Sequence, residues 1–178
     1  MTAPEVDLTP AELREGLTAC LNVPRWVEQV VAGGPYASRN ALLEVARTAA
    51  DPLRPEEVDQ ALADHPRIGE RPTGTGAASA FARAEQASSA SDDEQLAERL
   101  AAGNRAYEER FGRVFLIRAA GRSREEILAE LKRRLRLPAE EEVEVVADEL
   151  RDIALRRIPQ LFPTLNHHSG YAEPEAAQ

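Results

Sequence analysis

Helix-start signals recur along this chain, and each is followed by apolar residues at helical spacing. Thr9-Pro10-Ala11-Glu12 and Ser123-Arg124-Glu125-Glu126 are capping boxes. In such a box the hydroxyl takes an orphan backbone N–H, and the carboxylate reaches back to the cap's own N–H. Pro10, Pro24, Pro55 and Pro138 stand near predicted helix starts, where a missing N–H removes no bond. After Thr9, the stripe Leu13, Leu17, Cys20 and Leu21 predicts a helix to about Leu21. Trp26, Val27, Val30 and Val31 follow Pro24, and Gly33-Gly34-Pro35 ends that segment. Ser38 caps a third helix to about Ala50, with Leu42, Leu43, Val45 and Ala46 inward. A fourth runs from Pro55 to His65-Pro66, since the residue before a proline resists the helical region.

The stretch 69–78 carries Gly69, Pro72, Gly74 and Gly76 and is the one long glycine-rich loop. It lacks the Gly-Lys-Ser/Thr ending of a nucleotide-binding loop, and it reads equally as a connection or an active-site flap. Helices resume near Ala78, through Glu85-Gln86, and after Ser91-Asp92-Asp93-Glu94, to about Arg110. Val114-Phe115-Leu116-Ile117 is too short a run for a helix and predicts a buried extended segment. Ile127, Leu128, Leu131 and Leu135 follow the second capping box, and a last helix runs from Pro138 to about Ile158, before Pro159. There is no internal repeat. The reading is all-α: one domain over 1–163, an orthogonal bundle of about eight helices, then a polar C-terminal tail over 164–178.

A chain of 178 residues suits one core. Its formal charge of −9 argues against nucleic acid as a partner, while leaving room for a local basic pocket. The single cysteine, Cys20, rules out an internal disulfide framework or a cysteine zinc cluster. No apolar stretch approaches membrane-spanning length and no secretory signal is visible, so the cytoplasm is the expected compartment. His167 and His168 are adjacent in the tail and do not suggest a metal site.

Four constellations carry polar chemistry. His65 is the only histidine outside the tail, fixed by Pro66 at a helix end before the loop. It is a structural residue or a proton carrier near neutral pH. Glu85-Gln86 follow the small residues Ala82 and Ala84, and could be a solvated polar face or could approach a ligand. Asn104 shares a stripe with Tyr107 and Phe111 and needs buried partners there. It could hold the apolar segment that follows. On the last helix Val143, Val146, Leu150, Ile153 and Leu161 form the stripe. A helical wheel puts Arg157 on that stripe and Arg156 at its flank. A guanidinium among apolar residues must find an anion, from the protein or from a ligand.

In order and spacing these pieces resemble the 2-oxo-4-hydroxy-4-carboxy-5-ureidoimidazoline (OHCU) decarboxylase family. The resemblance runs from about Leu8 to Phe162. It rests on His65-Pro66 with Ile68-Gly69, Glu85-Gln86, Asn104-Arg105-Ala106-Tyr107 and Arg110-Phe111-Gly112. It continues through Phe115-Leu116-Ile117-Arg118-Ala119, Gly121-Arg122-Ser123 and Ile153-Ala154-Leu155-Arg156. It implies an all-helical carboxy-lyase of urate and purine breakdown that makes (S)-allantoin without a cofactor or metal. His65 and Glu85 would be catalytic. Pro66, Ala82, Gln86, Phe115, Leu116, Ile117, Arg118, Ala119 and Arg156 would contact the substrate. The resemblance thus picks Arg156 where the wheel favours Arg157. On that choice Arg156→Ala weakens substrate binding and Arg157→Ala lowers stability. Many members carry serine where this chain has Ala82, which touches specificity more than reaction class.

The substrate so implied bears a carboxylate and a hydroxyl on one ring carbon, next to a carbon doubly bonded to nitrogen. As carbon dioxide leaves, its electron pair forms a carbon–carbon double bond and runs onto that nitrogen. The sink that cofactors usually supply is within the substrate. The protein has to hold one pose, move the hydroxyl proton, and deliver a proton to carbon from one face. Phe111, Phe115 and Ile117 would wall the pocket. Two rival readings stand beside this one: a non-catalytic helical interaction module, and a decarboxylase of a related heterocyclic hydroxy-acid. A homodimer through the first or last helix is a further expectation.

Overall fold

The computed structural model describes residues 8–63, 65–69, 76–87 and 94–161. The expected tail with His167 and His168, most of the glycine-rich loop, and the helix start at Ser91 lie outside the described residues. Among the described residues there are eight helices and no strand. These are α1 (Pro10–Cys20), α2 (Pro24–Ala32), α3 (Arg39–Ala49), α4 (Pro55–Leu62), α5 (Ala77–Ala87), α6 (Glu94–Phe111), α7 (Arg124–Arg134) and α8 (Ala139–Leu161).

The capping chemistry sets these boundaries. Thr9 Oγ1 accepts the Glu12 N–H at 3.2 Å, and Glu12 Oε2 accepts the Thr9 N–H at 2.9 Å. Ser123 and Glu126 repeat the exchange at α7, and Ser38 caps α3 through the Ala41 N–H. The end of α8 departs from expectation, because the helix runs through Pro159 to Leu161. Proline there removes one bond to the carbonyl four residues back. Buried Arg157 and Ile158 on the preceding turn hold the backbone in register.

Apolar side chains gather in two cores. The larger joins α1, α2, α3, α4 and α8 through Leu17, Trp26, Leu42, Val58 and Leu150. The Trp26 indole N–H donates to the Ala46 carbonyl at 2.8 Å, so the polar handle of this buried ring is satisfied. The smaller core joins α6 and α7 through Leu100, Tyr107, Ile127 and Leu131, with Ile68, Phe115 and Ile117 added. Residues 114–119 form no helix, as expected, and run between the two. Their alternation decides the sides: Leu116 enters the larger core, while Phe115, Ile117 and Ala119 enter the smaller. Gly103 permits the close approach of α6 to α7, since a Cβ there would stand 2.5 Å from Leu131 Cδ2.

The α2–α4 contact is pinned by a carboxylate. Glu57 is 4% exposed and accepts from Arg25 Nη2, Arg54 Nη2 and the Arg54 backbone N–H, each at 2.9 Å. These bonds, the Arg25 guanidinium foremost, hold its carboxyl down to about 2 from an ordinary 4.5. A depressed carboxylate stabilises the fold above its unfolded value and loses that contribution as pH falls toward its folded value. Glu57→Gln is therefore expected to remove about 2 kcal/mol at neutral pH, less than a fully buried pair because both arginines reach solvent. It should also flatten the loss of stability between roughly pH 4.5 and 2. Urea titrations across that range check both.

Candidate active site

The site forms where α4 ends. The backbone N–H of His65 donates to the Leu62 carbonyl at 3.0 Å, and Nδ1 lies 2.8 Å from the Ala61 carbonyl oxygen. A carbonyl can only accept, so Nδ1 carries a proton. In the neutral ring the lone pair is then on Nε2, which is buried. Pro66 follows and fixes the next φ.

Two small cavities meet at His65, Pro66 and Ala82, which line both. One, of about 20 Å³, is completed by Cys20, Ala61 and Arg157 among others. The other, of about 30 Å³, is walled by Phe115, Leu116, Ile117, Ala119 and Ile153. Each has room for about one water. Larger openings flank them. An open cleft of about 700 Å³ has His65 at its border with Asp59, Glu108, Phe111 and Arg113. One of about 300 Å³ lies over Arg67, Asn104, Arg105 and Arg124.

The structure thus brings His65, Pro66, Ala82, Phe115, Leu116, Ile117 and Ala119 together. Arg118 is half-buried at the edge of this wall, and its backbone N–H donates to Glu149 Oε2 at 2.7 Å. Phe111 borders the open cleft rather than the small cavities. Glu85 and Gln86 follow Ala82 by three and four residues on α5; their side chains lie outside the described residues. Arg156 is exposed, whereas Arg157 is 2% exposed and lines the cavity beside His65. Arg157 Nη1 donates to the Cys20 carbonyl at 3.4 Å, and its guanidinium carbon stands 5.4 Å from the Phe81 ring centre. The wheel placement therefore holds on α8, without a bend that would bring Arg156 inward. Among the described residues no group of three or more His, Cys, Asp or Glu side chains gathers as a metal site.

One supporting assembly was not anticipated from the sequence. Arg134 and Glu142 are both fully buried, with Nε donating to Oε1 at 2.8 Å. The Tyr107 hydroxyl donates to the same carboxylate oxygen. Burial, then that carboxylate, raises the pKa of the Tyr107 hydroxyl. Arg134 Nη1 also donates to the Leu116 carbonyl at 2.7 Å, and the guanidinium lies 4.7 Å from the Phe115 ring centre. The Leu116 carbonyl and the Arg118 N–H of this segment are thus satisfied by side chains of α7 and α8. Helical spacing carried the signal: Arg134 is three residues after Leu131, and Glu142 four before Val146. Both sit on apolar stripes, with opposite charges.

A proton-fixed imidazole, an apolar wall and a sequestered guanidinium thus meet where α4 ends. Comparison with known proteins gives the class. A family model described as OHCU decarboxylase matches residues 7–159, and the chain belongs to that carboxy-lyase family. It is 29% identical over 147 residues to the uric acid degradation bifunctional protein TTL of Arabidopsis thaliana, a match covering 80% of this chain and 45% of that protein. The chain thus spans less than half the length of this curated relative. The crystal structure of an OHCU decarboxylase in the presence of (S)-allantoin superposes with a TM-score of 0.71 at 26% identity, over 84% of this chain and 98% of that one. The crystal structure of an (S)-allantoin synthase shares the fold, with a TM-score of 0.63 at 16% identity over 88% of this chain and 52% of that one.

Proposed function

We propose that this chain decarboxylates OHCU to (S)-allantoin, with no cofactor, as a step of urate breakdown. The observation that carries the reading is the meeting of His65, Ala82 and Arg157 at one cavity in a chain of this family. His65 Nε2 takes the substrate's hydroxyl proton as the carbon–carboxylate bond breaks, carbon dioxide leaves, and the electron pair moves toward the ring nitrogen; protonation of that nitrogen and of the neighbouring ring carbon, the latter from one face, then completes allantoin and returns the imidazole to its neutral form. The Nδ1–H bond to Ala61 favours this, because it leaves Nε2 as the accepting atom. Glu85 is proposed as its acidic companion, with Gln86 and the 115–119 wall holding the ring. That wall is apolar, which disfavours the charged carboxylate relative to neutral carbon dioxide. The walls of the small cavities must separate to admit a ureidoimidazoline. Among the described residues no helix is long and apolar enough to cross a membrane, and a cytoplasmic setting is part of the same proposal.

Arg157, rather than Arg156, is proposed to bind the anionic substrate, on the strength of its burial beside His65. Arg157→Ala is expected to lower kcat/KM by about 100-fold, the range for losing one partner of a buried charged contact. Arg156→Ala should change it by less than about twofold, as exposed substitutions do. Steady-state kinetics of the two variants decides between the residues, and the reverse ranking restores Arg156.

The experiment for the reaction couples urate oxidation and ring hydrolysis to this protein and follows optical rotation. Fast appearance of one allantoin enantiomer supports the proposal. A racemic product at the uncatalysed rate overturns it. Buried Ala82, where many members carry serine, favours including related heterocyclic hydroxy-acids in the substrate panel.

A further inference from the structure

Beyond His65 the backbone crosses the face of α6 before reaching the glycine-rich stretch, and α6 holds it at successive turns. Asn104 Nδ2 donates to the Ile68 carbonyl at 3.0 Å. Glu108, one turn on, receives both edges of the Arg67 guanidinium: Nη2 donates to Oε2 at 2.8 Å, and Nε donates to Oε1. One turn before Asn104, Leu100 Cδ2 would stand 3.5 Å from a Cβ on Gly69, in ordinary contact, and Gly69 has a φ of +89°. Leu100, Asn104 and Glu108 thus form a rail under residues 67–69. On the opposite side α4 holds His65 by its N–H and Nδ1. Pro66 fixes one dihedral between these two attachments, and α6 supplies the rest of the restraint.

Asn104 sits oddly for a residue selected by packing. It is 6% exposed, on the stripe of Leu96, Leu100 and Tyr107. Its Oδ1 is buried with no hydrogen-bond partner among the described residues. A half-satisfied buried amide is unfavourable, and leucine in the same place would carry no such penalty. The bond to Ile68 is what asparagine adds there.

We propose that Asn104 is a positioning residue for the decarboxylation. Backed by the Glu108–Arg67 ion pair, it fixes the 65–69 backbone so that the His65 imidazole keeps its Nδ1–H tautomer and its place beside Arg157. The proposal rests on the reading of His65 as the group that takes the proton. Partners of this kind, which set the tautomer and direction of a catalytic group, act through small displacements.

Asn104→Leu is the test, read by thermal melting, steady-state kinetics and the imidazole nitrogen-15 shifts of His65. The melting temperature should stay within about 4 °C of the parent. kcat should fall about 30-fold with KM changed by less than threefold, as for a catalytic group displaced by a fraction of an ångström. The His65 nitrogens should change from a single Nδ1–H tautomer to a mixture. Glu108→Gln, at a partly exposed position, should change kcat and the tautomer in the same direction and by less. Unchanged kcat and an unchanged tautomer in Asn104→Leu overturn the proposal. If that variant does not fold, the same result in Glu108→Gln overturns it. The nitrogen spectrum needs no substrate, so it tests the clamp even if the parent protein proves unable to decarboxylate OHCU.

Discussion

His65→Ala is expected to abolish measurable turnover while leaving the helical circular dichroism signal unchanged. General acid–base help by one side chain is worth roughly 10²–10⁴-fold, enough to bring a modest enzyme down to the background of a reaction that proceeds slowly by itself. The fold should survive because α4 ends at Leu62, before the histidine. The imidazole bonds the Ala61 carbonyl from a half-buried position. Such a bond is worth about 1 kcal/mol net. The open cleft bordering His65 gives a second readout, since added imidazole can diffuse to the vacated place and restore part of the rate. Near-parent turnover in the alanine variant would remove His65 from the mechanism.

The largest expected loss of stability follows Arg134→Ala. Removing one member of a fully buried ion pair leaves the other charge uncompensated, and costs about 3–5 kcal/mol. In a chain of this size that lowers the melting temperature by roughly 10–15 °C. Glu142 would be left with the Tyr107 hydroxyl, and the Leu116 carbonyl would lose its donor. The wall of the site loosens with the pair, so activity falls below the transition as well. Replacing both charges, Arg134→Met with Glu142→Leu, should recover a large part of the stability, because an apolar pair of similar volume avoids the desolvation penalty. The Leu116 carbonyl still lacks its donor in that double variant, so activity should recover less than stability. Chemical denaturation of the single and double variants checks the ordering, and a double variant no better than the single would mean that the ion pair itself stabilises the fold.

Local signals in the sequence were enough for the helices. Thr9, Ser38 and Ser123 cap as their hydroxyls suggest, and the stripes they precede are buried apart from Leu43, Val45 and Leu135, which are half-buried. Arg157 was legible too, since a wheel is a local construction and α8 stays regular past Ile153. Pro159 was misread as a terminator: packing of the turn before it outweighs one missing bond. Asn104 was expected to need buried partners, and it has one. That partner is the Ile68 carbonyl, in the segment preceding α6 in sequence rather than the apolar segment after it. Which carbonyl an amide meets depends on how α4 and α6 are arranged, and periodicity carries no record of that. The Arg134–Glu142 pair was missed for the same reason. Each residue alone is an anomaly on a stripe, and only the packing of α7 beside the start of α8 makes them partners.

His65 and Ala82 meet a segment whose side chains are shared between two hydrophobic clusters, Leu116 in one and Phe115, Ile117 and Ala119 in the other. Much of the larger cluster, Leu17, Trp26 and Leu42 among it, does not line the small cavities at His65. Selection could therefore retune the chemistry of such a chain through small boundary residues such as Ala82, accumulating new preferences over generations without first having to rebuild either interior.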